Sequence, residues 1–192
     1  MENLAKILSQ YLLSKNIITE DMIDVYNYGF QCFLELFANV LCSIAIGLYL
    51  KMLPECLYFF LFFIPLRSFG GGFHLNTYLK CFLASCIVLI SSLLIVKYIE
   101  LPIIISAIIY IVFAILLLFI GPVNHPNKIV TADKNRVFIS RTYITILISF
   151  FLFLFFIITE NKEYLLLQAI VFLIVFASSL IGRLVNQEMQ TS

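Results

Sequence analysis

Long apolar blocks run through this chain, broken by short polar stretches. A helix needs about 20 mostly apolar residues to cross a hydrocarbon layer about 30 Å thick. The candidate blocks cover roughly residues 28–50, 54–66, 78–96, 101–120, 142–158 and 164–181. The second is short, so it is expected to be tilted or only partly spanning. Ahead of them, Leu4, Ile7, Leu8, Tyr11 and Leu12 recur at helical spacing among polar residues. That pattern predicts an amphipathic helix lying at the membrane surface. Glu2, Lys6, Lys15, Glu20, Asp21 and Asp24 interrupt the same region. It is therefore not read as a secretory signal, which has an apolar core behind a basic start. The predicted fold is all-α, a polytopic transmembrane helical bundle of about six helices with an N-terminal amphipathic interfacial helix. Residues 1–27 form the arm, and residues 28–185 the bundle, of a single domain.

Composition agrees with this pattern. The 192 residues are 62% hydrophobic and 12% charged, with mean hydropathy +1.07. A soluble domain is about 45–50% apolar and about 25% charged. Too little polar surface remains here to coat a compact domain, so the lipid bilayer is the expected solvent. A net charge of +1 gives no reason to expect a nucleic-acid partner. Charge placement says more. Six alternating spans put the arm, the 67–80 loop, the 121–141 loop and the tail on one side. These carry Lys6, Lys15, Arg67, Lys80, Lys128, Lys134, Arg136, Arg141 and Arg183, nine of the twelve Lys and Arg residues. Lys51, Lys97 and Lys162 fall on the other side. Basic residues concentrate in cytoplasmic loops. Both termini and both long loops are thus expected in the cytosol, in a multi-pass protein of the cell membrane.

One segment stands out chemically. From Arg67 to Cys81 the chain reads RSFGGGFHLNTYLKC, with Gly70, Gly71 and Gly72 side by side. Such a run fits a flexible turn. It also fits irregular backbone lining a cavity at the membrane edge. His74 follows, and Cys81 lies seven residues later. A helix beginning near Asn76 would place Cys81 in its second turn and leave His74 free to fold back over the helix start. The partial positive charge of that end favours a thiolate. A thiolate is the working nucleophile of a cysteine, and an imidazole is its usual partner in proton transfer. If both residues were helical they would lie about 10.5 Å apart along the axis, too far to bond. From residue types alone, a cysteine near a helix start is usually just buried, and a lone histidine is usually a solvated or bonded loop residue. Cys32, Cys42, Cys56 and Cys86 lie within apolar runs without a neighbouring histidine, and the five cysteines show neither CxxC pairs nor a disulfide framework. His125 precedes Pro126 and suits a turn. No metal or other cofactor is expected.

Polar residues inside a span are costly. Gln31, Glu35 and Asn39 recur every four residues on the first spanning helix and share a face. Gln31 is nearest the cytosolic end, where it could orient the imidazole or bond an oxyanion, and Glu35 could pair with Arg67. Hydrogen bonding between helices explains such a stripe equally well.

The segment RSFGGGFH followed by CFLAS resembles the accessory gene regulator protein B (AgrB) family of bacterial quorum-sensing systems. The matching positions are Arg67, Gly71, Gly72, His74, Cys81 and Ser85. The YNYGFQ element, with Tyr28, Gly29 and Gln31, and the GPVNHPNK stretch from Gly121 to Lys128 are similar to the family as well. Gln31 departs from it, standing where an acid is common. The resemblance implies a membrane cysteine endopeptidase that trims a short amphipathic pro-peptide partner and closes it into a thiolactone or lactone. It implies Cys81 as nucleophile, His74 as general base and acid, and a possible homodimer. Backbone N–H groups of Gly71 and Gly72 are candidate oxyanion donors. The competing reading is a transporter or peptide exporter, for which polar residues and glycine breaks at membrane depth would line a path.

Overall fold

The computed structural model describes residues 2–15, 17–70, 78–121 and 132–191. Among them are seven α-helices and no strand. These are α1 (Glu2–Ser14), α2 (Ile23–Leu50), α3 (Leu53–Gly70), α4 (Tyr78–Tyr98), α5 (Ile103–Ile120), α6 (Ala132–Ile158) and α7 (Lys162–Thr191). Hydrocarbon cannot hydrogen-bond a bare backbone, so apolar blocks that enter it satisfy their amides internally as helices. Five stretches, 20–50, 79–98, 103–120, 136–158 and 162–184, are long and apolar enough to cross a membrane. The chain is a multi-pass membrane protein. The remaining block forms α3. One face of it is buried, with Cys56, Phe59, Phe62 and Leu66 each 1% exposed against α2, α6 and α7, while Leu57, Leu61 and Ile64 face outward.

The helices extend beyond the apolar blocks. α2 begins at Ile23 and not near Tyr28, α6 begins at Ala132 and not near Thr142, and α7 continues past Ile181 to Thr191. Hydropathy marks only the length in lipid, whereas helical hydrogen bonding continues into water, where Asp24, Arg136 and Arg183 are exposed. For the same reason Arg67, expected in a loop, lies in the last turn of α3.

α1 packs on the first part of α2. Ala5 and Ser9 are buried there, while Leu4, Ile7 and Tyr11 point outward. That exposed apolar face suits an interfacial position.

Short turns collect at one end of the bundle. Lys51 ends α2 in the left-handed conformation (φ 58°), and Glu160 does the same after α6 (φ 54°). Gly47 lets α3 come close, since a Cβ there would meet the Cβ of Cys56 at 3.0 Å. At the same end Lys97 Nζ donates to the carbonyl of Leu50 (3.2 Å). At the opposite end Arg183 donates to the carbonyl of Ile120 (2.8 Å).

α7 is the central post. Of its spanning stretch 56% is buried, against 11% for α2. Gln168 is fully buried and donates from Nε2 to the carbonyl (2.7 Å) and Oγ (2.6 Å) of Ser149, whose hydroxyl also bonds Tyr110 (3.1 Å). One polar cluster thus ties α5, α6 and α7. Such bonds are worth about 0.6–2 kcal/mol in a bilayer and fix helix register.

α2 and α4 run in the same direction. Leu50 meets Lys97 near one end, and further along the Sγ atoms of Cys42 and Cys86 lie 3.7 Å apart. A disulfide needs about 2.05 Å between sulfurs, a small closure. Oxidation with copper–phenanthroline in membranes is expected to link Cys42 to Cys86, read by peptide mass spectrometry, and Cys86→Ser to abolish that product. Preferential linkage of either cysteine to Cys32 would contradict this register.

Candidate active site

The described part of α4 runs from Tyr78, which puts Cys81 within its first described turn; Asn76, where the sequence places the helix start, lies outside the described residues. The Cys81 side chain is half-buried. It lies where two cavities meet. One, of about 240 Å³, is enclosed by α2, α3 and α4 and includes Asn39, Ser43, Arg67, Ser68, Cys81 and Ser85 in its wall. The other, of about 340 Å³, lies between α3, α4 and α7, where Leu173, Ile174 and Ala177 of α7 face Ala84 and Val88 of α4. Phe63, Arg67, Cys81 and Ser85 belong to both.

Local sequence explains this arrangement. Phe63 and Arg67 are four residues apart and share a face of α3. The Arg67 guanidinium carbon lies 5.7 Å from the centre of the Phe63 ring, within cation–π range. The pair forms the ridge between the cavities. Cys81 and Ser85 repeat the spacing on α4. Ser85 Oγ donates to the carbonyl of Cys81 (2.9 Å), a common way for a helical serine to satisfy its hydroxyl within the helix. Its place at the site therefore comes with a local structural bond.

The α2 stripe divides. Asn39 reaches the cavity, whereas Gln31 lies eight residues earlier, about 12 Å down the axis. Gln31 Nε2 donates to Glu35 Oε1 (3.0 Å), so the stripe bonds within itself. That bond uses one of the two Gln31 amide hydrogens and leaves its Oε1 as an acceptor. His74, Gly71 and Gly72 lie outside the described residues, as does His125.

The sequence pointed to Gln31 and passed over Asn39 as a site residue. The α7 wall was missed entirely, since nothing in 173–177 differs from any other apolar run. Among the described residues, no three His, Cys, Asp or Glu side chains gather as metal ligands would.

A half-buried thiol beside two cavities can receive an extended chain, with an apolar side chain lodged against α7. If so, filling the α7 side should restrict bulky reagents more than small ones. Ala84→Phe and Ala177→Phe are expected to slow labelling of Cys81 by a bulky aryl maleimide at least about fivefold while iodoacetamide changes less than about twofold. Equal slowing of both reagents would mean the cavity is not the route to the thiol.

A family model described as Accessory gene regulator B matches residues 2–181 of the chain. Comparison with curated proteins and with solved structures gave no match.

Proposed function

The chain belongs to the accessory gene regulator B family, which ties it to the processing of quorum-sensing peptides, and on that basis we propose that it is a cysteine endopeptidase that cleaves and cyclises a short pro-peptide. The observation that carries the reading is the position of Cys81, a half-buried thiol in the first turn of a membrane helix, at the junction of two cavities.

In this reading Cys81 Sγ attacks the scissile carbonyl carbon, helped by the helix start, which favours a thiolate. His74 takes the thiol proton and gives it to the leaving amine as the C–N bond breaks. The C-terminal fragment departs, and the N-terminal part stays on Cys81 as a thioester. An internal Cys or Ser of the substrate then attacks that thioester, closes a thiolactone or lactone and frees the Cys81 thiol. Exchange of one thioester for another is close to isoenergetic, whereas hydrolysis discards the activated bond. The half-buried setting of Cys81 favours the first by limiting water at the intermediate.

Gly71 and Gly72 are assigned as backbone donors to the oxyanion. Gln31 supports His74 through its free carbonyl oxygen. Arg67 holds the ridge beside the thiol, and Ser85 braces the Cys81 backbone. Both termini and the Cys81 end face the cytosol of a cell-membrane protein. Supporting that orientation, Arg67, Lys80 and Arg183 lie at the end away from the short turns. An amphipathic pro-peptide lying on that surface would reach the site directly, and a homodimer is compatible with the scheme.

Cys81→Ser and His74→Ala are each expected to lower cleavage of a co-expressed pro-peptide by at least about 10³-fold, with membrane content of the protein unchanged. Mass spectrometry of the cells checks this. Continued cleavage in either variant would overturn the reading, and peptide flux into liposomes that survives Cys81 alkylation would point to an exporter.

A further inference from the structure

Asn39 is half-buried in α2, inside a stretch long and apolar enough to cross a membrane. It lines the α2–α3–α4 cavity together with Cys81. Its backbone carbonyl accepts from Ser43 Oγ (2.8 Å). Among the described residues its side-chain amide has no hydrogen-bond partner. A carboxamide without a partner is expensive away from water, and in a packed bundle such a group is ordinarily bonded. Ser43 solves the problem by donating its hydroxyl to the backbone carbonyl of Asn39, and Gln31 solves it with Glu35. Asn39 instead lines the space beside the thiol.

The demands of a bound peptide in that space follow from chemistry. A chain must be extended for a thiolate to reach its carbonyl carbon. In an extended chain the N–H and C=O of each peptide unit point outward, and at the membrane edge they lack water. A carboxamide carries one acceptor oxygen and two donor hydrogens. It can therefore answer both groups of one substrate residue. The neighbouring Leu36 and Val40 of α2 offer no such groups.

Resting on the peptidase reading, we propose that Asn39 is a substrate-binding residue whose side-chain amide hydrogen-bonds the backbone of the extended peptide beside Cys81. Asn39 fixes the chain in the α2–α3–α4 cavity, and the bond is present before and during attack. It contributes to binding in both states, so its loss raises the concentration needed for half-maximal rate and leaves the maximal rate largely intact.

The test uses the full-length protein in lipid nanodiscs and an N-acetylated hexapeptide thioester ending in Phe as probe, following release of its thiol. Asn39→Leu is nearly isosteric and lacks both polar groups. It is expected to raise the half-saturating probe concentration about fivefold to tenfold, with maximal rate within about twofold. Asn39→Gln, which keeps the carboxamide, should recover part of the loss. Iodoacetamide attacks at a saturated carbon and needs no backbone bond, so its rate with Cys81 should match wild type in both variants. An unchanged half-saturating concentration in Asn39→Leu would overturn the assignment. So would a parallel fall in iodoacetamide labelling, which would mark a packing role. If wild type reacts with iodoacetamide at Cys81 yet releases no thiol from the probe, the peptidase reading itself fails and Asn39 loses its substrate.

Discussion

The buried face of α3 governs the geometry around Cys81. Phe59, Phe62 and Leu66 sit at 1% exposure among α2, α6 and α7. Burying them holds α3 against translation along its axis, because a close-packed interior has discrete arrangements and not a continuum. Phe63 and Arg67, on the same helix, then stand at a defined height as the ridge between two cavities. A slip of one turn would move that ridge about 5.4 Å and merge or close the spaces on either side of the thiol. The cluster of Gln168, Ser149 and Tyr110 holds the other side of the frame by tying α7 to α5 and α6.

The bilayer sets the remaining terms. With lipid outside, the usual hydrophobic force between helices is absent, and association relies on close packing and polar bonds. Gly47 against Cys56 supplies the first and the Gln168 cluster the second. The same solvent bears on the proposed acyl transfer. Acyl transfer to a second thiol outruns hydrolysis where water is scarce, and Cys81 is half-buried at the start of a membrane helix.

Much of the fold was legible because apolar length speaks directly to the bilayer. The spans and the outward face of α1 follow from local pattern. Helix ends were less legible. Arg67 reads as loop because a charge beside glycines looks like punctuation, yet α3 continues to Gly70. The polar starts of α2 and α6 were missed for a related reason, since hydropathy is silent about helix in water. Cys81 was legible as a candidate from its spacing to His74 and from the family resemblance, and the structure places it beside two cavities. Asn39 was visible as a polar residue on a shared stripe, but its choice over Gln31 required the register of α2 against α4, which Cys42 and Cys86 report. The α7 wall has no local signature. Leu173 and Ala177 become site residues only through packing that brings the last helix beside the fourth.

The central claim is that Cys81 carries the peptide as a thioester between cleavage and ring closure. Acid quenching during turnover of a co-expressed pro-peptide, followed by digestion and mass spectrometry, tests it directly. The account predicts a Cys81-containing peptide bearing the N-terminal part of the substrate, lost on treatment with neutral hydroxylamine. Accumulation of cleaved product with Cys81 unmodified, and at the same rate in Cys81→Ala, would contradict it.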